Sequence, residues 1–306
     1  MIYQGRIFGG DAQLSPEKEG LQAGSRFLDY AQVKVLRPLN HRVQIDLWGG
    51  EQAEVSMLGF SYDGFWEELM DRFSARSLEA LFVTGEPQMT CEGDYETPLE
   101  RGRGRVYLYP DAVCILPQTA NALRLPLCFV TDLRQEGYWL RLTLVTGETF
   151  ALGRLGYDSM PFFERTARNR ERVQKERAAL LAGLSPVPEF PHRGLFRTEQ
   201  RDLSWAAAFG PGVCAVELFT GDDAATYLYR FQESREVFAA QLELAMEAMG
   251  PHREIIWQTE AQLEEKPLYQ MGVHRSAAVR FLRVRSAGRI IHNARHGEAL
   301  AEFLRQ

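Results

Sequence analysis

The sequence predicts an α+β chain made of consecutive units, each a small antiparallel sheet closed by one helix. Three observations lead there: a segment repeats without a gap, it alternates apolar and polar residues around turn glycines, and the alternation then gives way to helical spacing. Shifted by 97, residues 28–65 lie on residues 125–162 with ten of 38 positions identical. Val33/Val130, Leu36/Leu133, Leu47/Leu144, Gly50/Gly147, Leu58/Leu155, Gly59/Gly156 and Phe65/Phe162 are among them. Val43/Leu140, Ile45/Leu142, Phe60/Tyr157 and Trp66/Phe163 are conservative pairs in the same alignment.

Each element of the repeat has a local reason. Val43-Gln44-Ile45-Asp46-Leu47 and Leu140-Arg141-Leu142-Thr143-Leu144 alternate with period two, as half-buried strands do. Gly49-Gly50 and Thr146-Gly147 supply hairpin turns that need positive φ. A second strand ends at Leu58-Gly59 and at Leu155-Gly156, and helices follow over residues 62–76 and 159–181. In the first helix Phe65, Leu69 and Phe73 recur every four residues, which sets one apolar face against the sheet. Upstream in the second copy, residues 105–109, a Pro110-Asp111 turn, and residues 112–116, 123–127 and 130–135 read as short antiparallel strands.

A fainter third copy follows. Val216-Glu217-Leu218-Phe219-Thr220-Gly221-Asp222 echoes residues 142–148, a strand is expected over 225–231, and Phe238, Leu242, Ala245 and Met249 suit a helix. Beyond Gly250-Pro251 the pattern departs: residues 279–284 and 289–292 read as a hairpin around Ser286-Ala287-Gly288, and 297–305 as a closing helix. Gly93-Asp94 and Arg101-Gly102-Arg103-Gly104 mark residues 84–105 as a loop-rich boundary, while Pro186, Pro188 and Pro191 mark 183–194 as a semi-rigid linker. Three units result: 1–90, 98–183 and a divergent 190–306.

Many short strands closed by one amphipathic helix resemble a pleckstrin-homology-like (PH-like) domain of the plain kind found in bacterial tandem proteins. The residues that carry the resemblance are Val106-Tyr107-Leu108-Tyr109-Pro110-Asp111-Ala112-Val113-Cys114-Ile115, Leu125-Pro126-Leu127 and the stretch 140–163. The resemblance implies tandem PH-like units, each an antiparallel β-sandwich or partly open barrel with a C-terminal helix. Some such folds bind phosphoinositides, but neither good copy carries a basic cluster in its first turn, and Tyr109-Pro110-Asp111 occupies that place in the second.

Composition narrows the classes. Of 306 residues, 45% are hydrophobic and 25% charged, which is ordinary for a globular protein. No apolar run approaches membrane-spanning length, and Met1-Ile2-Tyr3-Gln4-Gly5-Arg6 lacks a basic-then-apolar leader, so neither stable membrane insertion nor secretion is expected. The four cysteines (Cys91, Cys114, Cys128, Cys214) are scattered without a CxxC, which points to a cytoplasmic chain with free thiols. A net charge of −6 argues against a nucleic-acid partner.

No Walker loop, GxSxG elbow, HExxH, EF-hand or complete GxGxxG occurs, and no cofactor or metal is expected. His252-Arg253-Glu254 has the H-x-E spacing of zinc deaminases without their P-C-x-x-C half. The arginine-rich second helix, with Glu171 four residues before Lys175, reads as a solvated face or as a contact with the acidic first unit rather than as a nucleic-acid site. The best functional candidate is the stretch from Lys266 to Gly297, which contains no Asp or Glu. Arg275, Arg280, Arg283, Arg285, Arg289, His292 and His296, together with His274, form a candidate anion patch, because guanidinium groups grip phosphate or carboxylate in bidentate fashion. The structural alternative pairs them with the glutamates just upstream, from Glu243 to Glu265. Two functions are consistent with this: a non-catalytic interaction protein that binds a protein partner through strand edges or grooves, or a binder or hydrolase of a small anion in the C-terminal unit.

Overall fold

A computed structural model of the chain describes residues 1–81, 83, 85–98, 100–117, 122–144, 147–182, 192–197, 202–220, 225–232, 255, 257–276, 279, 283 and 286–292. The first unit holds β1 (Tyr3–Ile7), β2 (Gly10–Pro16), β3 (Gly20–Ala23) and β4 (Arg26–Asp29) in one antiparallel sheet. A second sheet holds β5 (Val33–Leu39), β6 (Arg42–Leu47) and β7 (Gln52–Val55). A bridge between Arg6 and Ser56, bonded in both directions, ties the two sheets together. Helix α1 (Tyr62–Ala80) follows, and Phe65, Leu69 and Phe73 are buried on the predicted face.

The second unit repeats this plan in one seven-stranded sheet. Its strands are β8 (Met89–Glu96), β9 (Arg101–Leu108), β10 (Ala112–Pro117), β11 (Leu123–Pro126), β12 (Val130–Glu136), β13 (Trp139–Leu144) and β14 (Thr149–Gly153), and α2 (Ser159–Ala182) closes it. The order β11-β10-β9-β8-β14-β13-β12 is that of the first unit with β1 and β7 fully paired. Both units therefore have PH-like topology: sheet strands followed by one long helix.

The 97-residue offset holds element by element. The 3-10 turn Tyr30–Gln32 maps onto Leu127–Phe129, β5 onto β12, β6 onto β13, and both helices start at the mapped residue. The same β-bulge interrupts Val33/Val35 and Val130/Asp132. Gly50 (φ 86) and Gly147 (φ 84) sit in the left-handed region that the hairpin requires.

The third region forms a five-stranded sheet of β15 (His192–Arg197), β16 (Asp202–Gly210), β17 (Val213–Thr220), β18 (Ala225–Phe231) and β19 (Ser286–His292). Before β19 come two short helices, α3 (Glu260–Glu264), with a Thr259/Gln262 capping box, and α4 (Pro267–Arg275), with proline at its start. The helices expected around 238–249 and 297–305 and the His252-Arg253-Glu254 motif lie outside the described residues.

Two expectations are corrected. Residues 84–105 are not a loop-rich boundary, because β8 and β9 pair across most of that stretch. Gly93 and Gly104 mark close backbone approach rather than turns: a Cβ on Gly93 would stand 2.6 Å from the Gly153 carbonyl oxygen, and one on Gly104 2.8 Å from that of Leu116. Nor do residues 279–292 form a hairpin. Val279 and Arg283 are helical, and Ser286-Ala287-Gly288 is strand, paired with Phe231, Arg230 and Tyr229.

The units touch. Leu81 at the end of α1 packs with Leu116 and Ala122 of the second unit, and Asp71 pairs with Arg105. Met271 of α4 belongs to the core of the first unit, with Leu268 against it.

Candidate functional site

Of the predicted anion patch, Arg275 and Arg283 have different partners in the structure. Arg275 is 1% exposed and lies against the first unit, where its Nη2 donates to the Val33 carbonyl (3.0 Å) and its guanidinium covers the Phe73 ring at 4.8 Å. Arg283 turns the other way. Its Nη1 donates to the carbonyls of Ile255 (2.8 Å) and Gln258 (2.7 Å), and its Nη2 pairs with Glu260 at 3.0 Å. Glu260 is one of the upstream glutamates of the structural alternative, and Arg283 here organises a chain turn. Arg289 and His292 fall in β19, at the end of the strand order, and their side chains lie outside the description. Arg280, Arg285 and His296 lie outside the described residues altogether.

Around Arg275 a groove of the first unit is filled. His274 stacks on Trp48 with ring centroids 4.3 Å apart, and Lys34 reaches over the same indole at 5.6 Å. Met271 and Arg275 are both 1% exposed. The Nε and Nη1 of Arg275 have no hydrogen-bond partner among the described residues, and burial pushes its pKa down to about 10. A buried cation with one carbonyl and one aromatic face for company is an expensive anchor, since desolvation favours the neutral form. Burial also drives the Tyr30 phenol upward beneath the same turn.

A second feature occurs twice. Where β7 and β14 hand over to their helices, Met57 (φ 61) maps onto Arg154 (φ 54) and Gly59 (φ 54) onto Gly156 (φ 63). A non-glycine residue held at positive φ stores backbone strain of about 1–3 kcal/mol, and here it is stored at matching positions. The next residues, Phe60 and Tyr157, are aromatics as exposed as in an open peptide. Beside each lies the turn of the neighbouring hairpin, with Asn40 and His41 in the first unit and Gly137 and exposed Tyr138 in the second. A shallow concavity results at both places. Its cations are paired: Arg42 with Glu54 (3.1 Å) and Arg154 with Asp94 (3.2 Å). His41 meets Tyr62 edge-on at 5.2 Å, and the Tyr62 hydroxyl donates to the Arg42 carbonyl. These turns can offer an aromatic face and a half-neutralised rim to a partner. The sequence carried the signal, for Phe60/Tyr157 is a repeat pair that stands off the Phe65, Leu69, Phe73 stripe.

The arginines of α2 are mixed in role. Lys175 pairs with Glu171 at 2.7 Å on the solvated face, as the spacing predicts. Arg170 is structural, donating from Nε to the Val130 carbonyl (2.8 Å) and from Nη2 to that of Thr131 (2.6 Å). Among the described residues no three His, Cys, Asp or Glu side chains could hold a metal ion, and no helix is long and apolar enough to cross a membrane.

The sequence matches no protein-family profile, and comparison with curated proteins finds no relative. One solved structure similar to part of the chain is the crystal structure of the C-terminal domain of an unknown protein from Leishmania infantum. It shares 8% identity with a TM-score of 0.28, over 33% of this chain and 97% of that one. At that score it assigns neither family nor activity here.

Proposed function

We propose that the chain is a non-catalytic, cytoplasmic interaction protein, a tandem PH-like protein of the bacterial type that binds a protein partner. The observation that carries this reading is the duplicated turn: both copies keep an aromatic in full solvent exposure, three residues after a strained backbone position. Exposed aromatics scattered singly need no explanation. A matched pair, each three residues after a non-glycine residue held at positive φ, is a different matter, because backbone strain recurring beside an exposed aromatic in both copies points to a functional site. Aromatic side chains offer a large contact area at low entropic cost, which is why they anchor protein interfaces. The anion-binding alternative loses support from Arg275 and Arg283, whose guanidinium groups are engaged internally.

The test is site-specific photocrosslinking in the cells that naturally make the protein, with a photoreactive phenylalanine at position 60 or 157 and, as control, at exposed Phe27. One and the same protein adduct is expected from positions 60 and 157 and none from 27. Adducts no different from the control would overturn it.

A further inference from the structure

A carbonyl that the second unit caps for itself is capped in the first by a helix some 240 residues further on, and this concerns a surface separate from the exposed turns. At the exit of the 3-10 turn of the second unit, the Val130 carbonyl accepts from Arg170 Nε and Gln174 Nε2, both at 2.8 Å. Mapped back by 97, Val130 is Val33, Arg170 is Phe73 and Gln174 is Ser77. Phe73 has no donor to offer, and the Ser77 hydroxyl donates to the Phe73 carbonyl instead (2.7 Å). In the first unit these two α1 positions thus put no donor on the Val33 carbonyl. Arg275 supplies the missing guanidinium from α4, lying over the Phe73 ring that stands in place of Arg170.

We propose that the groove around Arg275 is a helix-recognition site, that α4 is its built-in ligand, and that an amphipathic helix of a partner protein displaces it. The anchors define the partner. Leu268, Met271 and Arg275 fall at i, i+3 and i+7, the spacing by which an amphipathic helix lays one face into a groove. The partner helix carries two apolar residues three apart and, four further on, a long side chain ending in a donor for the Val33 carbonyl. The seated ligand is replaceable for two reasons. It is a nine-residue helix, short of the length at which helices persist alone. Its last anchor also buries a charge that Val33 alone hydrogen-bonds, so a neutral donor such as glutamine fills the place with less desolvation.

The full chain tests this with a fluorescein-labelled peptide spanning residues 264–278 and anisotropy as the readout. The Met271→Asp chain is expected to bind the peptide saturably and at least tenfold tighter than the wild-type chain, whose groove is occupied. An unlabelled Arg275→Gln peptide should compete better than the parent peptide, and a Met271→Asp peptide should not compete. Because Met271→Asp also alters the core it leaves, a Leu268→Ala chain is titrated in parallel and decides the matter if the first variant loses its fold. Failure of the folded variant to bind the peptide overturns the proposal. A wild-type dimer that Met271→Asp converts to monomers overturns it as well, because a second copy would then be the occupant.

Discussion

Replacing Met271 with alanine isolates the docking of α4. Met271 is 1% exposed and sits in the first unit's core, so the change removes Cγ, Sδ and Cε from a closed apolar site. At about 0.8 kcal/mol per methylene-sized group, the transfer part is about 2.4 kcal/mol, and the cavity left behind places the total within the range of about 2–5 kcal/mol seen for such truncations. The transfer part alone weakens docking by about sixtyfold. An undocked nine-residue helix does not hold its own hydrogen bonds. The loss should therefore register in hydrogen exchange, with amides of residues 267–275 exchanging about sixtyfold faster while those of α2 keep their protection. Unchanged exchange in α4, or a loss centred on α2, would refute the assignment of Met271 to the first unit.

Three further outcomes follow from the same contacts. Arg275→Gln keeps a donor for the Val33 carbonyl and removes a buried charge, so docking should hold or tighten, read as slower exchange over residues 267–275. Arg170→Ala strips donors from the Val130 and Thr131 carbonyls and should cost the second unit about 2–3 kcal/mol in urea unfolding, the scale of bonds to charged groups. All four cysteines are buried, and burial pushes Cys91 up to about 11 and Cys114 up to about 12 from an ordinary 9.0. The native state keeps these protons where the unfolded chain releases them, so stability is full below pH 9.0 and falls as pH rises towards those values. The urea midpoint should drop between neutral pH and about pH 10, and no native thiol should react with Ellman's reagent at neutral pH.

The repeated core was legible because it is local. Period-two strands at 43–47 and 140–144 and the Phe65, Leu69, Phe73 stripe announce themselves within a few residues, and the structure places strands and helix there. The C-terminal part was not, for two physical reasons. Short mixed runs such as Val279-Arg280-Phe281-Leu282-Arg283-Val284 fit either a strand or a helix, and tertiary context decides. Val279 and Arg283 are helical, where a strand over 279–284 was expected. The groove of the first unit left no local signature at all. Trp48, Val33 and Phe73 look like core residues, His274 and Arg275 look like surface residues, and only folding shows that they meet. Phe60 and Tyr157 were visible as a repeat pair, but exposure is a property of the folded turn.

Arginine side-chain NMR tests most directly the claim that Arg275 completes the first unit as Arg170 completes the second. Arg170→Lys and Arg275→Lys variants assign the two Nε–H signals. The Arg275 signal should be displaced by the ring current of Phe73, 4.8 Å from the guanidinium carbon, and protected from exchange by burial. That signal should exchange about sixtyfold faster in Met271→Ala, like the α4 amides, while the Arg170 signal keeps its rate. An Arg275 signal with the shift and exchange rate of the surface arginines in the wild-type chain would contradict the account.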